Sequence, residues 1–165
     1  MPESPRQSAI SALRFARKIT NDLITNFPEG KGAFQTCPTD NHLLWNLGHL
    51  AKTYQWCTGL LGGDPGKLPD AFESAFGSNP KPSSDPKAYP PLADVRGVFD
   101  DQYNRFIATA EKLPEASLSD SLADQTGGFA STKLDLIHKA AWHEGWHAGQ
   151  ISSLRRALNL PGVMG

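Results

Sequence analysis

Apolar residues return every three or four positions in four stretches of this chain, the spacing of amphipathic helices rather than strands. The first stretch carries Ile10, Leu13, Ala16, Thr20, Leu23 and Phe27 and stops before Pro28-Glu29-Gly30. Ser4-Pro5 gives it a start, with serine at the cap and proline in the first turn. The second begins near Thr39 or Asp40, runs through Leu43, Leu47, Leu50, Tyr54, Cys57 and Leu61, and ends at Gly62-Gly63. The third, with Leu92, Val95, Phe99, Phe106, Ala110 and Leu113, stops at Pro114. The fourth spans about Thr132 to Leu158 and is closed by Asn159 and Pro161-Gly162. No stretch alternates as a strand would, and no turn signal joins two β-branched runs. The pattern predicts an all-α fold, a four-helix bundle.

Between the second and third helices, thirty residues from Gly62 to Pro91 form a crossover rich in proline, glycine and serine. One short helical turn is expected in it, at Asp70–Phe76. A connection of this length lets helices two and three run parallel, and it can serve as a lid or as a passive strap. At 165 residues the chain is expected to form one domain, 1–165, burying about 70% of its unfolded surface.

Charge narrows the partners. Sixteen basic and seventeen acidic residues give a net charge of −1, with no basic run, so nucleic acid and anionic membranes are not expected partners. The apolar runs are too short to span a bilayer, and Met1 to Arg6 lacks the form of a secretion signal. Cys37 and Cys57 are read as free thiols of a reducing cytoplasm, Cys57 on an apolar stripe and Cys37 accessible near a helix start.

The candidate chemistry lies in Trp142-His143-Glu144-Gly145-Trp146-His147-Ala148-Gly149-Gln150. Histidines four residues apart sit about 40° apart on one helix face, the spacing at which two imidazoles can grip one metal ion. On a helical wheel they fall in an apolar stripe with Leu136, Ala140, Leu154 and Leu158. Burying two imidazoles without partners is costly, so they call for hydrogen bonds or a metal. The letters also spell H-E-x-x-H, the zinc-peptidase signature. That reading is rejected, because the eighteen residues after His147 offer no histidine, aspartate or glutamate as a third ligand.

A third ligand comes instead from helix two, where His49 lies beside the apolar stripe and Gly48 leaves room for close approach. His49, His143 and His147 thus form a candidate metal set that leaves coordination positions for water or substrate. Zinc, nickel and iron(II) all accept such ligands. Gln150, on the face of His143, and Asn46, one turn before His49, can orient an imidazole or a bound water. Glu144 lies about 100° from the ligand face, a second-sphere acceptor or, more simply, a surface residue. Trp45, Trp56, Trp142 and Trp146 can wall a pocket, with core packing expected for at least two. His42 reads as a rim or capping residue, and His138 as surface or satisfied core. A metal-free bundle with hydrogen-bonded histidines is the plainer alternative.

Leu47-Gly48-His49-Leu50, with His143-Glu144-x-x-His147-x-Gly149-Gln150-Ile151, resembles the DinB-like (DinB/YfiT) superfamily. The crossover segments Leu68 to Phe72, Phe76-Gly77-Ser78 and Asp85 to Pro90 resemble those of one branch. The resemblance implies up-down-down-up topology, a divalent metal on His49, His143 and His147, and a homodimer. It further implies a transferase or isomerase using a low-molecular-weight thiol on a small electrophile. A non-catalytic metal-binding or stress-response module is the alternative it allows. The sulfoxide-synthase branch carries H-x-x-x-H-x-E, whereas Gly149 stands here where its glutamate would be.

Overall fold

A computed structural model describes residues 4–77 and 81–163; Met1 to Glu3 and Ser78, on which two of the sequence readings bear, lie outside them. The helices are α1 (Pro5–Ile24), α2 (Leu43–Leu60), α3 (Asp70–Phe76), α4 (Leu92–Lys112), α5 (Ala123–Thr126) and α6 (Lys133–Ala157). Among the described residues there is no strand, only an isolated bridge between Ser121 and Thr132. No described helix is long and apolar enough to cross a membrane.

Caps explain where the long helices begin. Ser4 and Gln7 close a reciprocal capping box at the start of α1. Thr132 accepts from the Asp135 amide at the start of α6. The second helix starts later than the sequence suggests. The Asp40 carboxylate is held by the Thr36 hydroxyl and the Cys37 amide in a turn of its own. The cap falls instead to His42, whose Nδ1 accepts from the Trp45 amide at 3.1 Å. The first helix stops at Ile24, before Phe27, and Asn26 turns the chain at a φ of 57°.

The four long helices pack as two close pairs, α1 with α6 and α2 with α4. The register of contacts gives their directions. Arg17 meets Glu144, and further along both helices Arg155 reaches the Leu23 carbonyl, so α1 and α6 run the same way. Tyr54 packs on Phe99 and Phe106, and Gly63 lies against Thr109, so α2 and α4 also run together. His49 faces His143 while Asn41 faces Gln150, so α2 opposes α6. An up-down-down-up order would place the helices in these directions.

Leu13, Leu47, Leu50, Phe99, Phe106 and Ile151 fill the centre of the bundle. The buried face of α6 differs from the expected stripe. Leu136, Ala140, His147 and Leu154 of that stripe are buried, but the face widens to take in Ile137, Glu144, Ala148 and Ile151, while His143 and Leu158 are only half-buried. The shift arises because α6 must cover α1 as well as α2. In the crossover, α3 is pinned to α2: the Phe76 ring fills the space above Gly48, and Lys52 pairs with Glu73 at 2.7 Å.

Candidate metal centre

The bundle brings together the histidines that the sequence singles out. His143 and His147 sit one turn apart on α6, and His49 faces them from α2. The His143 Nε2 lies 3.2 Å from the His49 Nε2 and 3.1 Å from the His147 Nε2. One ring nitrogen from each histidine lies within 4.8 Å of the others. His147 is buried, whereas His49 and His143 are half-buried, which leaves the cluster an open side.

The neighbours fix the rings. The Asn46 carboxamide donates through Nδ2 to the carbonyls of Asn41 and His42, at 3.2 and 3.0 Å. Its Oδ1 therefore faces the His147 Nδ1, 2.6 Å away, and can only accept. His147 must carry its proton on Nδ1, which turns the Nε2 lone pair toward the other two rings. Asn41 is held in turn by donating to the Gln150 carbonyl oxygen at 3.0 Å. Trp45 stacks on His49, with ring centroids 4.7 Å apart and planes within 8°. Phe129, from the segment between α4 and α6, meets His143 edge-on at 6.3 Å.

Burial holds all three imidazoles neutral. It lowers the pKa of His49, with Lys52 adding to the effect. It lowers that of His143 to about 4, helped by His49. For His147 burial, followed by the neighbouring histidines, outweighs Gln150 and brings the value to about 3. The donor set fits a divalent transition metal. A single shared proton can bridge only one pair of the converging Nε2 atoms, leaving another lone pair facing lone pairs. Ligands about 2.05 Å from one ion would stand about 2.9–3.4 Å apart at octahedral or tetrahedral angles, and the His143 Nε2 stands 3.2 and 3.1 Å from those of His49 and His147.

The family model of the DinB superfamily matches residues 12–151, a span containing all three histidines and most of the bundle. The chain belongs to the DinB superfamily. No curated protein matches it.

Other sequence candidates of this DinB-superfamily chain are placed differently. Glu144 is not a surface residue. It is fully buried on the flank of α6 next to the histidine face, turned toward α1. There it accepts from the Tyr54 hydroxyl, and its Oε1 lies 3.0 Å from the Arg17 Nε, a close ion pair without hydrogen-bond alignment. Burial raises its pKa while Arg17 opposes the rise. The Tyr54 hydroxyl is pushed up too, first by burial and then by Glu144. Arg17 also pairs with Asp100 at 3.0 Å and lies over the rings of Phe99 and Tyr103.

The tryptophans do not fill the core as expected. Trp45 is half-buried, while Trp56, Trp142 and Trp146 are exposed, Trp146 at 58%. Trp146 packs against Trp142, not against a histidine of the cluster. His138 is exposed, and His42 caps α2 with its pKa lowered by burial to about 4. Cys37 is exposed; Cys57 is buried, its thiol pushed up by burial to about 12, outside the range of a nucleophile.

The sequence reading missed Arg17, Tyr54, Asn41 and Phe129. Arg17 alone carried a signal: it stands four residues after Leu13 and three before Thr20, inside an apolar stripe.

Proposed function

We propose that His49, His143 and His147 hold a divalent transition metal (zinc, nickel or iron(II)) and that the protein transfers a low-molecular-weight thiol to a small electrophile. The convergence of three neutral imidazoles, one with its tautomer set by Asn46, carries the reading. When bound, the metal would draw the thiol sulfur into its sphere and hold it as thiolate near neutral pH. The chain supplies the rest. Asn46 presents the His147 lone pair, Trp45 braces the His49 ring, and the half-buried flank of His49 and His143 leaves that side of the cluster partly exposed to solvent.

The H-E-x-x-H pattern gains no peptidase character from this arrangement. A peptidase glutamate must reach water on the metal, whereas Glu144 is turned into the bundle and held by Arg17 and Tyr54. The family likeness adds a homodimer, tested by light scattering on the purified protein, and the free thiols of Cys37 and Cys57 suit a reducing cytoplasm.

The deciding experiment is elemental analysis of untagged protein beside His147→Ala, followed by a thiol-transfer screen with the metal restored. About one equivalent of metal, lost together with turnover in His147→Ala, is the expected result. Full turnover in a metal-free variant would sink the proposal. Metal binding with a large rise in melting temperature and no turnover would favour the non-catalytic module.

A further inference from the structure

A cavity of about 670 Å³ lies between α1 and α6, and its lining includes neither His143 nor His147. This is the size of a small-molecule site. Its floor is made of small residues, Ala12 and Ala16 from α1 with Ala141, Gly145 and Gly149 from α6. Phe15 and Trp142 stand beside it, 60% and 54% exposed. The segment Leu160 to Val163 folds back to line it as well.

Two features of this groove have no explanation among the described residues. Gly145 and Gly149 lie within a 25-residue helix, where glycine is the costliest residue after proline. Nothing lies within 4 Å of where a Cβ would stand on either, so packing within the chain does not require them. They leave space for something from outside. The second feature is charge. Arg155 is only 4% exposed, yet among the described residues its guanidinium meets neutral carbonyls alone: Leu23 at 2.7 Å, Thr25 at 3.0 Å and Pro161 at 2.9 Å. Its Nε is buried with no hydrogen-bond partner among the described residues. Arg156 beside it is exposed, has no acidic partner among the described residues, and reaches only the Ser153 hydroxyl, at 3.5 Å. Both arginines line the cavity, and no acidic side chain does. Buried guanidinium groups are ordinarily matched by carboxylates.

We propose that this groove binds an amphiphilic anion, a carboxylate carried on an apolar tail. The tail lies over Gly145 and Gly149 between Phe15 and Trp142. The carboxylate sits at the Arg155–Arg156 end, where Arg156 offers the forked donor geometry that carboxylates accept. The site stands apart from the histidine cluster and does not depend on it.

Titration calorimetry with dodecanoate tests the proposal, in the presence of a chelator so that no metal on the histidines can hold the carboxylate. Saturable 1:1 binding is expected, with dodecanol and dodecyltrimethylammonium weaker by about tenfold or more, and Arg156→Glu weakening dodecanoate by a similar factor. Gly145→Leu fills the floor and should abolish binding while keeping or raising the melting temperature, since leucine is the better helix former. The proposal falls if dodecanoate gives no binding, if dodecanol binds as well, or if Gly145→Leu binds as the parent does. It falls too if light scattering shows a dimer that Gly145→Leu breaks into monomers while the parent binds no dodecanoate, which would assign the groove to a second copy.

Discussion

Asn46 decides which nitrogen of His147 faces the other two histidines. Two backbone carbonyls hold its amide nitrogen, so the carboxamide cannot turn over without losing both bonds. Removing it in Asn46→Ala frees His147 to adopt the other tautomer and orientation. The expected outcome is a loss of about 10–100-fold in zinc or nickel affinity with an unchanged helical circular dichroism spectrum. Unchanged affinity by competition with a chromogenic chelator would show that packing alone sets the ring. The histidine set was legible in the sequence because a four-residue step on α6 leaves little freedom. Asn46 was legible too, one turn before His49. Glu144 was not, since a wheel drawn about the histidine pair cannot reveal that α1 covers the adjacent flank. A single arginine in the stripe of α1 was the missing clue, because Arg17 needs a buried acid and Glu144 supplies it.

The crossover meets the bundle at one point that can be tested directly. A Cβ on Gly48 would stand 2.4 Å from the Phe76 ring, so the close approach of α3 to α2 depends on that glycine. Gly48→Ala should cost about 1–3 kcal/mol by overpacking, read as a fall in melting temperature. In a Phe76→Ala background the same change should cost much less, with a coupling of about 0.5–3 kcal/mol. Additive effects would mean that α3 is held elsewhere. Buried Phe72 and Phe76 support a packed strap over α2 rather than an open flap. The four long helices were legible within a few residues, because apolar periodicity and caps such as Ser4 act locally. The start of α2 was not, because Asp40 looks like a cap but serves its own turn. The small elements between α4 and α6 were also hidden; Gly127 and Gly128, with φ values of 58° and 87°, set a local path that no periodicity announces.

One buried polar node ties the whole bundle together: Arg17 of α1 meets Glu144 of α6 and Asp100 of α4, and Tyr54 of α2 bonds to Glu144. Arg17→Met strands the Glu144 charge and should cost about 3–5 kcal/mol in urea unfolding, with Arg17→Met/Glu144→Met recovering much of it. The buried histidines give the molecule its pH response. His42, His143 and His147 titrate near 4, 4 and 3 in the folded chain, each lowered chiefly by burial, against about 6.5 when unfolded. Below about 6.5 the unfolded chain therefore binds protons that the folded chain refuses. The stability of the metal-free protein is complete above that value and falls as pH drops toward 4, by up to about 1.4 kcal/mol per pH unit for each histidine. Glu144 works the other way, since its raised pKa favours the folded state at lower pH, but it is one group against four, His49 being lowered as well. Urea midpoints from pH 7.5 to 5 in chelator should drop steeply; a flat profile would mean that the histidines are not held neutral. Saturating zinc or nickel should raise the curve at pH 7.5, by about 2.7 kcal/mol at a hundred times the dissociation constant. That gain should shrink as protons compete for the cluster, while the part of the slope belonging to His42 persists, because His42 caps α2 and has no share in the metal.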